Sequence, residues 1–243
     1  MLNRQAFLIA LQFLTIFPVT LSTPVSSKAM GRSLLFYPLV GLIVGAVLVG
    51  ITLLLSTQNT FVSAALVLTL WVVLTGGLHL DGLADSGDAW LGGLGDKART
   101  LAIMKDPACG PIGVLALLLV LLLKFVAIAA LIETQQTVAL MWAMVLARTA
   151  MPLLFLTTPY QREQGLGSAM RAAMPASAIR SVLFITVLLA MLFAGIGAVL
   201  ITLAVFLLLR YLMERRLGGF TGDTAGAMIE LLETTVLLFF VLS

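Results

Sequence analysis

The stretch Gly113–Ile132, GVLALLLVLLLKFVAIAALI, is twenty residues long and carries a single charge, Lys124. At about 1.5 Å per helical residue it matches the roughly 30 Å hydrocarbon core of a bilayer. A second run, Ser181–Leu209, is longer and has no charge at all. The whole chain shares this character: 61% of its 243 residues are hydrophobic and 10% are charged, whereas a soluble domain carries about a quarter charged residues. A water-soluble fold leaves too much of its area exposed to hide so much apolar surface. The fold class is therefore all-α: residues 1–243 form one polytopic transmembrane helical bundle. It has about six to seven spanning helices plus an N-terminal interfacial helix.

The hydrophobic pattern predicts helices at about 34–55, 61–80, 113–132, 138–158 and 224–242, with a long stretch at 178–214. Residues 5–21 read as an apolar helix that lies in the interface or re-enters the membrane, because Pro18 and Pro24 end it early. No small-residue cleavage site follows it, so it does not read as a cleaved leader. Lys28 and Arg32 fall in segment 22–33, and Lys97, Arg99 and Lys105 in 81–112. Arg162, Arg171 and Arg180 fall in 159–180, and Arg210, Arg215 and Arg216 in 210–223. Segments 56–60 and 133–137 hold only Glu133. The positive-inside rule puts the four basic loops in the cytoplasm. That assignment requires 178–214 to be a hairpin turning near Gly195 rather than one long helix. The formal net charge of +3 is accounted for by these loops, so no nucleic-acid partner is implied. The single Cys109 excludes an intrachain disulfide and a multi-cysteine metal site. Gly41 and Gly45 form a small-xxx-small pair suited to close helix packing.

Five of the six aspartates lie in the 26 positions from Asp81 to Asp106, with no glutamate among them. Asp81, Asp85 and Asp88 are spaced i, i+4, i+7, so a helix places them on one face. Like charges at that spacing repel, and at the end of an apolar helix they are poorly solvated. A hard divalent cation resolves the conflict, since Mg²⁺ takes carboxylate oxygens and completes its shell with water and substrate phosphate. Gly82 and Gly87 cost helix stability and read as access for a bulky anionic substrate. Asp106 follows, with Lys105 beside it to meet a phosphate; Asp96, next to Lys97 and Arg99, reads as a solvated loop charge. His79, the chain's one histidine, reads more readily as a hydrogen-bonded neighbour than as a base.

A second acidic element stands at Gly218–Glu230, where Asp223 and Glu230 are seven apart and share a helical face. Thr221 serves either as a helix cap or as a substrate contact. Lys124 and Arg148 sit inside apolar helices, where a charge faces a polar cavity or a partner. Arg162 lies on a basic loop, and arginine grips phosphate through paired hydrogen bonds. Two acidic sets with several cations and glycines point to phosphoryl transfer on a pyrophosphate-bearing molecule.

The motifs GLHLDGLADSGD (Gly77–Asp88), IMKD (Ile103–Asp106) and GFTGD (Gly219–Asp223), with LQFLT (Leu11–Thr15) and YPLVG (Tyr37–Gly41), closely resemble the cobalamin-5′-phosphate synthase family. The likeness runs from the first helix to the last. Ala89 and Pro107 depart from it, where glycine and serine are common, and neither change removes a charged group. The resemblance implies a Mg²⁺-dependent, multi-pass enzyme of the bacterial inner membrane with its active site facing the cytoplasm. It implies transfer from adenosylcobinamide-GDP to α-ribazole or its 5′-phosphate with release of GMP. Asp81, Asp85, Asp88 and Asp106 would then hold the metal, and Asp223 or Glu230 would orient the attacking hydroxyl or bind a second metal. Lys105, Arg148 and Arg162 would offset phosphate charge, with Gly82 and Thr221 at the substrate. Two rivals stand beside this reading. A CDP-alcohol phosphotransferase carries Asp-Gly-x-x-Ala-Arg, and here Asp85 stands where the arginine would be. A cation transporter would need its acids near the bilayer midplane. The sequence leaves a homo-oligomer open.

Overall fold

A computed structural model describes residues 4–21, 25–162 and 165–243 of the chain; Pro24 lies outside them. The described residues form helices with no strand, joined only by an isolated bridge between Tyr160 and Phe220. The helices are α1 (Arg4–Leu14), α2 (Ser27–Ser33), α3 (Tyr37–Leu54), α4 (Thr60–Thr75), α5 (Leu78–Gly92) and α6 (Lys97–Ile103). They continue with α7 (Pro111–Glu133), α8 (Val138–Thr157), α9 (Leu166–Ala172), α10 (Ala176–Phe193), α11 (Ile196–Leu217) and α12 (Gly222–Leu242). A 3₁₀ turn, Leu34–Phe36, joins α2 to α3.

Six segments are long and apolar enough to cross a membrane: Ser27–Leu54, α7, α8, α10, α11 and α12. A bent pair, α4 with α5, brings the number to as many as seven. Together they make a polytopic membrane helical bundle. Leu118, Leu122, Phe184 and Leu192 are exposed on its outside, as expected of side chains that meet lipid. The central helix is α8, whose side chains are buried nearly all round. It packs on α3 where Gly41 and Gly45 bring the backbones together: a Cβ at Gly41 would stand 2.7 Å from the Met144 carbonyl oxygen.

Three expectations are corrected by the backbone. The helix expected at 61–80 breaks at Gly76 and Gly77, both left-handed (φ +65° and +68°). The chain turns there by 88°, and the aspartates ride on a separate helix, α5. Only glycine takes two such residues in succession without strain. The N-terminal helix ends at Leu14, short of Pro18, where Thr15 turns its hydroxyl back onto the Leu11 carbonyl at 2.6 Å. Its 11 residues reach about 16 Å, too short to span. Third, the basic loops are not only loops: α2, α6 and α9 lie within them. The 178–214 stretch is a hairpin, with Gly195 (φ +90°) between α10 and α11.

The basic segments converge on one end of the bundle. Lys97 donates to Gln161 at 2.8 Å, and Arg216 donates to the Trp90 carbonyl at 2.7 Å and to Thr100 at 3.0 Å. A Cβ at Gly31 would collide with the backbone of Ala173, so the loop before α3 also meets α9 there. The uncharged turns around Asn59 and Gly195 fall at the other ends of the same helices.

Candidate active site

The site is built where α5 crosses the start of α12. Gly82 is the crossing point: a Cβ there would come 2.7 Å from the Asp223 carbonyl oxygen. Gly226 answers from α12, where a Cβ would approach His79 Cα to 3.2 Å. Gly82, read from sequence as substrate access, thus meets Gly226 where two backbones touch. Gly82 still contributes to the wall of a cavity of about 260 Å³, so packing and access meet at this residue.

That cavity lies between α1, α3, α5, α8, α9 and α12. Asp81, Arg162 and Asp223 are its charged lining residues, and Phe155, Tyr160 and Phe220 form an aromatic wall. Arg162 donates to Asp223 at 2.5 Å, tying the loop after α8 to the first turn of α12. Thr221 caps α12, accepting from the Thr224 amide at 3.3 Å, and its hydroxyl stands 3.4 Å from Asp223. Thr221 is fully buried, so it holds the helix start and Asp223 rather than lining the cavity. Burial raises the Tyr160 phenol, against the pull of Arg162.

Asp85 sits one turn beyond Asp81 on α5, outside the six spans. Partial burial and the like charges of Asp81, Asp223 and Asp88 push its carboxyl up to about 6, with Arg162 opposing. Four carboxylates therefore share one electrostatic neighbourhood. Asp88 is spoken for: its two oxygens accept from the amides of Gly110 at 2.7 Å and Gly113 at 2.9 Å. A carboxylate at the start of α7 satisfies donors that a helix N-terminus leaves orphaned. Asp106 is exposed on the loop before α7, where it accepts from the Ala108 amide at 3.0 Å. Lys105 is exposed beside it, and no contact joins either residue to the α5 carboxylates among the described residues. Asp96 caps α6, accepting from the Arg99 amide at 2.6 Å.

Arg148 and Glu230 stand elsewhere. Lys124 on α7 meets Glu230 at 2.6 Å and also Glu233; Glu233 pairs in turn with Arg148 on α8. All four side chains are almost fully buried. Lys124 also lies 4.6 Å from the centre of the Trp71 ring on α4. The two intramembrane cations thus find partners in two acids of α12, and the set is neutral. The signal was present in the sequence: two cations in spans α7 and α8, and two acids at i, i+3 in α12. Glu233 is the member that sequence reading passed over.

The donor chemistry at the acidic rim suits a hard cation, since it offers only carboxylate oxygens. Asp81, Asp85 and Asp223 are free of the backbone bonds that occupy Asp88. Among the described residues no three acids already converge into a coordination shell, so a cation would have to draw them together.

The model of the family described as cobalamin-5-phosphate synthase matches residues 6–241. A protein of Pseudomonas syringae pv. syringae (strain B728a) is 56% identical over 235 residues, covering 96% of this chain and 97% of the relative. One from Pseudomonas aeruginosa (strain PAO1) is 52% identical over 236 residues, covering 96% of each chain. One from Acinetobacter baumannii (strain ATCC 17978) is 48% identical over 239 residues, covering 98% and 97%. Each is named adenosylcobinamide-GDP ribazoletransferase. No solved structure matches the chain. On a family match that runs from α1 to α12, this chain belongs to the cobalamin-5-phosphate synthase family.

Proposed function

We infer that this chain is a membrane transferase that joins adenosylcobinamide-GDP to α-ribazole or its 5′-phosphate, the step that assembles the nucleotide loop of cobalamin. The products are adenosylcobalamin, or its 5′-phosphate, and GMP. One observation carries the reading: a charged rim of Asp81, Asp223 and Arg162 opens on an aromatic cavity at the basic end of the bundle. The relatives' shared name, at 48–56% identity over nearly their full length, supports it.

In the reaction a ribose hydroxyl of the acceptor attacks the phosphorus bonded to cobinamide. The bond from that phosphorus to the oxygen bridging to GMP breaks, and GMP leaves with the electron pair. Asp223, held by Arg162 and Thr221, would orient the hydroxyl, and the proton would pass to a carboxylate of the rim. Arg162 offsets phosphate charge as it builds, an effect worth several kcal/mol in comparable sites. Phosphoryl transfer asks little more of a protein than positioning and charge.

Mg²⁺ would be held by Asp81 and Asp85 with help from Asp223, where it would neutralise the pyrophosphate and the departing oxygen. Asp106, exposed on its loop, is available to a metal only if that loop closes over the rim. The basic loops of this end would face the cytoplasm of a bacterium, across its inner membrane, by the positive-inside rule.

The test is GMP release from adenosylcobinamide-GDP and α-ribazole by the purified protein in detergent, with and without Mg²⁺. Release in detergent, where no compartment exists, separates this reading from cation transport. No release with either acceptor form would overturn it.

A further inference from the structure

The reaction step leaves a buried imidazole in the cavity wall unused. His79 is 3% exposed, it lines the cavity, and neither ring nitrogen has a hydrogen-bond partner among the described residues. Buried polar groups in folded proteins are nearly all paired, because leaving one unpaired forfeits its hydration for nothing. The His79 backbone is also closely packed: a Cβ at Gly226 of α12 would stand 3.2 Å from its Cα and 3.3 Å from its carbonyl oxygen. The cavity that His79 lines has an aromatic wall. The ring of Phe220 stands edge-on to Phe155 and Tyr160 at 5.0 and 5.2 Å, and the Tyr37 hydroxyl is turned to the Met170 sulfur at 3.8 Å.

We propose that this cavity seats the base of the acceptor nucleoside, and that His79 selects that base by donating a hydrogen bond to its one free ring nitrogen. The assignment rests on the transferase reading, which supplies two aromatic bases to choose between. The acceptor's base is a methylated benzimidazole: flat, apolar along its methyl edge, with a single unsubstituted ring nitrogen that accepts. The donor's base is guanine, whose edges carry several donors and acceptors. A base seated between the aromatic wall and the one unpaired imidazole needs a single acceptor, which the first supplies, whereas guanine there would bury several polar edge groups that the aromatic wall cannot pair. Burial agrees. His79 and Gly226 are buried, whereas Asp81 is exposed and Asp223 half-buried, so a base seated at His79 leaves its ribose toward the acidic rim. There the hydroxyl meets the phosphorus.

The experiment compares acceptors on the full chain in lipid nanodiscs, reading GMP release and equilibrium binding of radiolabelled acceptor without donor. The acceptors are α-ribazole and its 5,6-dimethylindole counterpart, in which a C–H replaces the free ring nitrogen. With the unaltered protein the indole form should bind about tenfold more weakly, the scale of one hydrogen bond, and show the same rise in KM. His79→Ala should bind both forms equally, raise the KM of α-ribazole by about the same factor, and leave the KM of adenosylcobinamide-GDP unchanged. His79→Gln, which restores a donor, should recover part of the discrimination. Equal binding of the two acceptors by the unaltered protein would overturn the proposal without need of any variant. A His79→Ala defect confined to adenosylcobinamide-GDP would overturn it as well. Absence of GMP release would sink the transferase reading instead, while the binding arm still decides the seat.

Discussion

The Arg162 guanidinium meets the Asp223 carboxylate at 2.5 Å, so the segment after α8 is tied to the first turn of a spanning helix. The pair is partly exposed, at the mouth of the cavity, where a phosphate can share the guanidinium.

Removing either member should therefore cost turnover more than folding. We expect Arg162→Ala and Asp223→Asn each to lower kcat/KM for GMP release by on the order of 100-fold, the scale of one preorganised group lost from a transition state. Arg162→Lys should recover little, because an ammonium cannot hold carboxylate and phosphate in one planar fork. Activity within a few-fold of the unaltered protein would remove this pair from the site.

Asp85 joins pH to both stability and activity. Its carboxyl is raised from 3.8 to about 6, so the stability it contributes is fully present below 3.8 and is lost as pH rises through about 6. At neutral pH its ionised form is a burden on the fold in the absence of a cation. Asp85→Asn should raise the thermal midpoint at pH 7.5 in EDTA while nearly abolishing GMP release. In the unaltered protein kcat/KM should fall as pH drops below about 6. That limb should move to lower pH in Asp81→Asn, which removes one of the like charges acting on Asp85.

Asp88 separates capping from metal binding. If its work is to hold the amides of Gly110 and Gly113, Asp88→Asn keeps one acceptor and should cost roughly 1 kcal/mol of stability. Asp88→Ala should cost more and loosen the start of α7. Mg²⁺ affinity, measured by calorimetry on the detergent-solubilised protein, should change far less in Asp88→Asn than in Asp85→Asn. An equal loss in the two variants would return Asp88 to the metal set.

The buried quartet should behave as a structural unit. Lys124→Met leaves Glu230 without its cation in a low-dielectric interior, and breaking such a pair costs about 3–5 kcal/mol. The double variant Lys124→Met with Glu230→Gln should recover part of that loss, since the orphaned charge goes too. Thermal midpoints of the four forms in one detergent give the coupling directly. Additive losses would show that the two side chains act separately.

Much of the fold was legible because lipid imposes a simple rule. Backbone groups in hydrocarbon must pair within their own segment, so runs such as Gly113–Ile132 have no alternative to helix. The hairpin at Gly195 followed from charge, since basic loops on one side require an even number of crossings between them. The pair Gly41 and Gly45 was read as packing and packs on α8. The break at Gly76–Gly77 was less legible, because two glycines after an apolar run also suit the frayed end of a single helix.

Chemistry divides in the same way. The i, i+4, i+7 spacing of Asp81, Asp85 and Asp88 was enough to put them on one face of a helix and to call for a counter-charge. Sequence alone could also say that Lys124 and Arg148 need partners in the membrane. It could not say which acids answer them, because a partner in a folded bundle comes from any helix that packs alongside. Tertiary structure decided that Glu230 and Glu233 neutralise the cations, that Asp88 closes the start of α7, and that Asp223 goes to Arg162. Periodicity along one helix is a local property, set by 3.6 residues per turn; pairing between helices depends on which faces pack, and only the assembled bundle determines that.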